Sequence, residues 1–428
     1  MRTPPITPRP ALKAITPDWP IYSILFLVLG STFLPVELIS GMNAYFLILS
    51  IFVWLSKKRE FPKSLLVLII NFTAIITIGL ISGIDNQIYP YLKDAWYFIN
   101  PVLVISTGYC LGAQTPKLDK ILRALIISGL ILAIVHLLTF ALNPRLLTLS
   151  ATEIRTLAGN GNFLVGLSIA FLIAKFGDWR KSFSITPIVG WLILLASISS
   201  LVLSYSRTLV LVSLIFWLAL RGNMVGQRFI RIVVIAIISI AILGVFASVM
   251  PKETEMEKKT FSGKLLRSVQ ELTISDYLDE QSINDNFRGF ETARALKSYT
   301  DGGPYSWLGG RGFGHFVDLG VTLALGEGPM RYIPVLHNGI IYVLVKTGAI
   351  GLVLYISTFI WLFRRGGSSA ISNNEIEKFS GRIVQGTIAI CLLTSWLISG
   401  PFNKSALFSV LLLLGLTLAI IDKKTADI

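Results

Sequence analysis

Apolar and polar residues follow one another in long blocks along most of this chain. The apolar blocks are about 20 residues long, the length of an α-helix that crosses a bilayer, and they lack the alternation of a membrane β-strand. We therefore predict an all-α polytopic membrane protein with about twelve transmembrane helices. The predicted spans lie near residues 20–38, 43–56, 64–83, 95–112, 121–142, 160–175, 185–203, 208–220, 232–250, 338–363, 383–400 and 405–421.

One long polar segment, residues 251–337, separates the first nine spans (residues 1–250) from the last three (338–428). The segment is too long for a passive connection, and its net charge is about −2. We expect a partly helical cap over the outer membrane surface. Within it, residues 287–299 fit a helix, with Phe287, Phe290 and Leu296 along one face.

Composition supports the membrane assignment. The 428 residues are 53% hydrophobic and 14% charged, with a mean hydropathy of +0.70, whereas soluble domains carry about 25% charged residues. Arg2, Arg9 and Lys13 precede the first apolar block, which lacks the small-residue cleavage site of a signal peptide, so we expect an uncleaved first helix. Cys110 and Cys391 fall within predicted spans, where we expect small buried side chains rather than a disulfide.

The net charge of +14 is explained by topology. Basic residues concentrate in alternate short loops, which predicts that these loops and both termini are cytoplasmic and that residues 251–337 are periplasmic. We therefore expect no nucleic-acid partner. The basic groups are Lys57, Lys58, Arg59 and Lys63; Lys117, Lys120 and Arg123; Lys175, Arg180 and Lys181; Arg221, Arg228 and Arg231; Arg364, Arg365, Lys378 and Arg382; and Lys423 with Lys424.

His337 is the first candidate for chemistry, because it stands where the long polar segment meets a span. An imidazole there can act as a general base or orient a hydroxyl group near neutral pH. The alternative is a structural histidine that only bonds to its neighbours. The adjacent Asn338 is suited to cap the helix that begins there.

Several arginines on the same side are candidates for binding phosphate oxygens, which a guanidinium contacts with two parallel donors. Arg207 lies between two spans, where an unpaired charge is costly; its alternative role is to reach the interface. Arg288 is the candidate within the polar segment, with Arg311 as an alternate and Arg155 in an earlier outer loop. Each of these could instead be only solvated.

Residues 309–315 (GGRGFGH) form a glycine patch. It follows no strand of a βαβ unit, so a dinucleotide-binding loop is not indicated. We expect a tight turn that returns the cap to the membrane, with His315 either structural or a second imidazole of the site. The sequence contains no D-x-D pair, Walker loop or H-E-x-x-H motif, so we predict neither a metal nor a cofactor. It also lacks midspan carboxylates, which coupled transporters usually need.

Taken together, these segments resemble the O-antigen ligase and O-antigen polymerase superfamily of bacterial envelope glycosyltransferases. Three pieces occur in the family's order: Ser206-Arg207-Thr208; the helix from Arg288 to Leu296 with the turn Pro304 to Phe316; and His337-Asn338 followed by Gly348-Ala349-Ile350-Gly351-Leu352. Many members carry a glutamate before the first glycine of the third piece, where this chain has Lys346-Thr347. That departure leaves the subfamily and the acceptor open.

The resemblance implies transfer of a glycan from undecaprenyl pyrophosphate to a saccharide acceptor at the periplasmic face of the bacterial inner membrane. Arg207 and Arg288 would hold the pyrophosphate, and His337 would activate or orient the acceptor hydroxyl. The reaction would be metal-independent and would invert the anomeric carbon. The acceptor is lipid A–core for a ligase and a lipid-linked repeat unit for a polymerase, with the ligase slightly favoured. A transporter or flippase of lipid-linked sugars is the alternative from another class.

Overall fold

The computed structural model describes residues 18–56, 62–115, 117–159, 161–228, 231, 283, 286–325, 328–402 and 407–425. Most of these residues are helical. Before the long polar segment the helices are α1 (Trp19–Phe33), α2 (Val36–Ser56), α3 (Lys63–Ser82), α4 (Ile88–Gln114), α5 (Leu118–Leu142), α6 (Ala151–Leu157), α7 (Phe163–Ala174), α8 (Trp179–Phe183), α9 (Pro187–Leu203) and α10 (Arg207–Leu220), with a 3₁₀ turn at Pro144–Thr148.

The later elements are α11 (Phe287–Thr300), α12 (Gly303–Gly309), β1 (Val317–Leu325), β2 (Gly328–Ile333), α13 (Gly339–Ala370), α14 (Glu375–Leu397) and α15 (Phe408–Thr425). Each predicted span coincides with a helix, except that the span predicted at 232–250 lies outside the described residues. Within the described ranges, α3, α5 and α13 are long and apolar enough to cross a membrane, and Trp19–Phe33, Leu38–Leu49, Phe163–Ala174, Pro187–Leu203 and Arg207–Leu220 are shorter apolar helices.

The apolar helices turn one side to the protein interior and leave another apolar side exposed. In α9, Ile193 is fully buried, whereas Ile188 is 75% exposed and Leu192 is 60% exposed. A soluble protein rarely exposes so much continuous apolar surface, whereas a bilayer accommodates it. The exposed side chains therefore support the assignment to a membrane.

The closest helix pair in the interior is α4 against α15. Gly108 and Gly112, spaced four apart on α4, face the backbone of Leu412 and Leu416, while Gly415 faces the carbonyl of Ile105. A Cβ at any of these glycines would overlap that backbone. Small residues at this spacing let two helices approach closely, as they do in membrane bundles.

The described part of the cap corrects one prediction and confirms another. It contains an antiparallel hairpin, β1–β2, in addition to helices, so the protein is not purely α-helical. The predicted helix at 287–299 is confirmed as α11. Its buried residues are Phe290, Glu291 and Ala295, whereas Leu296 is 38% exposed, so the helix turns a carboxylate inward.

The glycine patch forms the predicted turn. Gly310, Gly312 and Gly314 have positive φ, and the turn docks on the bundle through hydrogen bonds from Phe313 N to Gly79 O (2.9 Å) and from Arg311 N to Val345 O (2.7 Å). Where the turn meets α13, that helix is broken at Gly348, with φ 68° and ψ −171°. A Cβ at position 348 would overlap the Leu308 carbonyl, so the break requires glycine.

Candidate functional site

His337 lies at the junction between the cap and α13, and both its neighbours hold it there. Asn338 caps α13, since its Oδ1 accepts the Ile340 and Ile341 amides at 3.1 and 3.2 Å, which confirms the predicted cap. Ser399, just after α14, donates from its backbone N–H to the His337 carbonyl and from its hydroxyl to the Leu336 carbonyl at 3.0 Å. The backbone of His337 is therefore anchored to both flanking helices.

The imidazole of His337 is oriented by Glu291 of α11. The Glu291 carboxylate lies 3.2 and 3.3 Å from His337 Nδ1 and also accepts the His337 backbone N–H at 3.0 Å. The Phe287 ring stands edge-on to the imidazole, with the ring centroids 5.9 Å apart. Phe287 and Glu291 are four residues apart at the start of α11, so their side chains lie on the same face of the helix and both contact His337.

The side chains of Glu291 and His337 differ greatly in solvent exposure. The Glu291 side chain is 2% exposed and the His337 side chain is 48% exposed. A buried carboxylate needs hydrogen bonds, and Glu291 receives them from His337. Because Nδ1 faces the carboxylate, Nε2 is the ring nitrogen that can receive a proton from a ligand on the open side. Glu291 thus acts on His337 as the aspartate of a hydrolase triad acts on its histidine.

Arg288 shares this turn of α11 and is exposed. Its charge acts on Arg155: burial is the main cause that lowers the pKa of the Arg155 guanidinium, and the Arg288 charge lowers it further. Arg155 belongs to the short helix α6, which begins with a capping box formed by Ser150 and Glu153. The fold therefore brings two arginines from distant parts of the sequence near each other, an arrangement that an anion between them would stabilise.

Arg207 stands close to α6 as well. Just before it, Leu203 and Tyr205 pack against a small apolar cluster that contains Ile154, the neighbour of Arg155. Arg207 is the first residue of α10, after Ser206, whose hydroxyl accepts the Leu209 amide. The segment before Arg207 thus packs near α6, and α11, which carries Arg288, packs against α13, which begins just after His337.

Arg311 and His315 belong to a different place, the glycine turn. The His315 Nε2 lies 2.8 Å from the Ser298 hydroxyl. Burial lowers the pKa of His315 to about 4, and the charges of Lys346 and Arg311 act in the same direction. No contact described in the structure joins either residue to His337. His315 is thus neutral near pH 7 and held by the cap, which favours its structural role.

A buried ion pair fastens this turn to the bundle. Lys346 Nζ lies 2.6 Å from the Asp94 carboxylate, and both side chains are 2% exposed. Asp94 also accepts the Gly314 amide at 2.7 Å and the Tyr342 hydroxyl at 2.5 Å, while Lys346 donates to the His315 carbonyl. Lys346 of α13 thus has a defined partner on another helix, α4.

Glu291, Asp94 and Lys346 were not among the predicted functional residues. For Glu291 the signal was a carboxylate four residues after Phe287 on the apolar face of the predicted helix. For Lys346 it was a cation within the apolar run 338–363, where charges are rare and usually paired. Asp94 stood one residue outside a predicted span. Each of these residues becomes a candidate only when the residue that it contacts is known, and the sequence does not show which residues are in contact.

The arrangement combines an oriented imidazole with an exposed arginine, Arg288, three residues before the orienting Glu291 on α11. Such a site can bind a phosphate-bearing ligand and take a proton from a hydroxyl group beside it. Among the described residues, no group of three or more His, Cys, Asp or Glu side chains is placed to hold a metal ion. No family model matches the sequence, and no curated protein matches it either.

Proposed function

We propose that this protein is a membrane glycosyltransferase that moves a glycan from undecaprenyl pyrophosphate to a saccharide acceptor at the periplasmic face. The observation that carries the proposal is the half-exposed His337, oriented by the buried Glu291 on the same helical turn as Arg288. The undecaprenyl-pyrophosphate donor is inferred from the resemblance in the order of the three motifs. Within this class we favour a ligase, with lipid A–core as the acceptor. The alternative within the class is a polymerase that joins lipid-linked repeat units.

In the proposed reaction, the acceptor hydroxyl attacks the anomeric carbon of the donor glycan. A new carbon–oxygen bond forms while the bond from the anomeric carbon to the pyrophosphate oxygen breaks, which inverts the anomeric centre. His337 Nε2 receives the hydroxyl proton, and Glu291 stabilises the resulting imidazolium. Arg288, Arg155 and Arg207 stabilise the negative charge that grows on the departing pyrophosphate, without a metal ion.

The proposal includes a topology of about twelve spans with both termini in the cytoplasm. It places Arg207 and His337 at the periplasmic end of the bundle and the basic ends of α7 and α10 at the cytoplasmic end. The apolar outer faces of the helices would hold the polyprenyl chain alongside the protein. Asn338 serves the site by fixing the first turn of α13.

A transfer assay with the purified full chain tests the proposal. The protein receives undecaprenyl-pyrophosphate glycan and either lipid A–core or a second lipid-linked repeat unit, with EDTA present. Product on lipid A–core identifies a ligase, and a ladder of lengthened lipid-linked glycan identifies a polymerase. We expect His337→Ala to lower the rate by about 100- to 10,000-fold, the usual contribution of a general base.

His136→Gln is the matched control, because His136 is a second imidazole, buried on α5 and bonded to Ser200 at 2.9 Å, and it has no role in the proposed reaction. It should transfer glycan at the wild-type rate. If no donor–acceptor pair gives product while the protein moves lipid-linked sugar across liposomes, the transporter alternative replaces this proposal. An unchanged rate in a folded His337→Ala variant would remove the proposed base.

A further inference from the structure

A second charged site lies at the other end of the bundle. The helix α14 begins beside it at Glu375 and ends at Leu397, next to Ser399, which contacts His337. The cleft is lined on α14 by Arg382, 15 residues before Leu397, so at 1.5 Å per residue the two sites lie about 23 Å apart. This cleft therefore takes no part in the chemistry proposed at His337.

The cleft has a volume of about 460 Å³, within the range of small-molecule sites. Of the described residues that line it, none is acidic. The nearby Glu375 acts on Lys175 and Arg382, but it is exposed and forms its own ion pair with Lys378 at 3.2 Å. The polar residues of the lining are Lys175, Arg221, Arg228, Arg382, Asn223 and Trp217.

Two donors at this cleft are buried without a hydrogen-bond partner in the part of the chain that the structure describes: Arg382 Nε and Trp217 Nε1. Arg382 is otherwise fixed, because its NH1 donates to the Leu220 carbonyl at 3.1 Å. Buried N–H groups without an acceptor are rare in folded proteins. An anion in the cleft would reduce the repulsion among the surrounding cations, and it would satisfy whichever of these donors it reached.

The approach to the cleft is apolar. Along α10, Val210 and Leu214 are 44% and 46% exposed, and Trp217 and Arg221 follow at the helical spacing. Ile173, at the end of α7, is 39% exposed beside Ala174 of the lining. An amphiphile could lay its acyl chains on this stripe and place its charged head among the cations, with Trp217 at the level typical of interfacial tryptophans.

We propose that this cleft binds the phosphodiester headgroup of an anionic phospholipid. Four cations and the unpartnered donors favour a headgroup with two phosphates over one with a single phosphate. The same cations would bind the phosphate of a soluble anion or of a lipid headgroup. Only a lipid would also contact the apolar stripe, which favours the lipid. Basic residues that only set topology would need neither a common cleft nor buried donors without partners on its lining residues.

The probe is cardiolipin added to the purified full chain in neutral detergent. Phosphatidylcholine, inorganic phosphate and inorganic pyrophosphate serve as comparison ligands. The unfolding midpoint is followed during each titration, and bound lipid is counted by native mass spectrometry. We expect cardiolipin to raise the midpoint of the wild type, and phosphatidylcholine and the soluble anions to leave it unchanged.

Two variants and one control decide the site. Lys175→Gln with Arg228→Gln should need at least about tenfold more cardiolipin for the same effect. Arg382→Lys keeps the charge but loses the Nε donor, so it should also bind more weakly. Arg180→Gln removes an exposed cation near the same end of the bundle but outside the cleft lining, and it should behave as the wild type.

Equal weakening in Arg180→Gln and in the cleft variants would mean that lipid binds the basic surface in general, and the proposal would be wrong. Binding of pyrophosphate as tight as that of cardiolipin would assign the cleft to a soluble anion instead. An absent response to every ligand would overturn the site altogether. None of these outcomes depends on glycan transfer.

Discussion

Asp94 and Glu291 are both carboxylates with 2% of the side chain exposed, yet their surroundings differ. Asp94 is enclosed: a buried lysine, a buried tyrosine and a backbone amide satisfy it. Among the residues that the structure describes, Glu291 is hydrogen-bonded to one, a histidine whose ring is half exposed. A charge whose partners are all internal serves to hold elements together, whereas a charge that orients an open imidazole is placed for chemistry.

The largest expected effect on stability comes from breaking the ion pair between Asp94 and Lys346. Lys346→Met leaves Asp94 as a buried charge without its counterion, which should destabilise the protein by about 3–5 kcal/mol. Adding Asp94→Asn to this variant should recover part of the loss, since the uncompensated charge is gone. The unfolding midpoint in detergent measures both.

Lys378→Met is the control for Lys346→Met, because it breaks the ion pair with Glu375, which is 77% exposed. It should cost less than about 1 kcal/mol. Should Lys346→Met unfold at the same midpoint as Lys378→Met, the Asp94–Lys346 pair does not fasten the glycine turn as argued.

The next prediction tests whether Glu291 orients His337 for chemistry or only stabilises the fold. Glu291→Gln keeps the size of the side chain but removes the charge that supports an imidazolium at His337. Hydrogen bonds to charged groups contribute about 1.5–3 kcal/mol, so transfer should slow by about 10- to 100-fold. The unfolding midpoint should change far less than in Lys346→Met.

Asp318→Asn provides the matched control for Glu291→Gln, since it alters an exposed carboxylate of the cap that is paired with Arg331 at 2.9 Å. Its transfer rate should equal that of the wild type. A Glu291→Gln protein with full activity would show that the carboxylate is as structural as Asp94.

A smaller effect is expected at the arginines. Arg155→Gln removes one guanidinium from the pair with Arg288, so the KM for the lipid-linked donor should rise about tenfold, equivalent to about 1.4 kcal/mol. Arg145→Gln, an exposed arginine just before α6, should leave the KM unchanged. Equal KM values in the two variants would remove Arg155 from the donor site.

The last prediction concerns the pH dependence of stability. The pKa of His315 is about 4 in the folded protein, below its ordinary 6.5, so the unfolded chain binds more protons between these values. Stability should therefore rise from about pH 4 to pH 6.5 and be fully present above that window. His315→Gln should show a shallower dependence over the same window, measured by unfolding midpoints. An identical slope would mean that other groups cause it.

Much of the fold was predictable because hydrophobic periodicity is local. The apolar blocks predicted the helices now seen at each described span, and the glycine patch predicted a turn. The hairpin β1–β2 was missed, and its pairing is irregular, with a register shift between Asp318 and Leu323. At α11, the apolar periodicity predicted the helix but overlooked Glu291, since periodicity does not record which polar residue has a buried partner.

The sequence alone therefore determined the class of protein, the positions of its helices and the candidates His337, Arg207 and Arg288, because these depend on neighbours along the chain. The tertiary structure determined which charged and polar residues contact each other. Glu291 is 46 positions from His337, and Asp94 is distant from Lys346, yet each pair is in contact. Only the folded bundle determines which buried charges meet, because burial and pairing are properties of the space between helices.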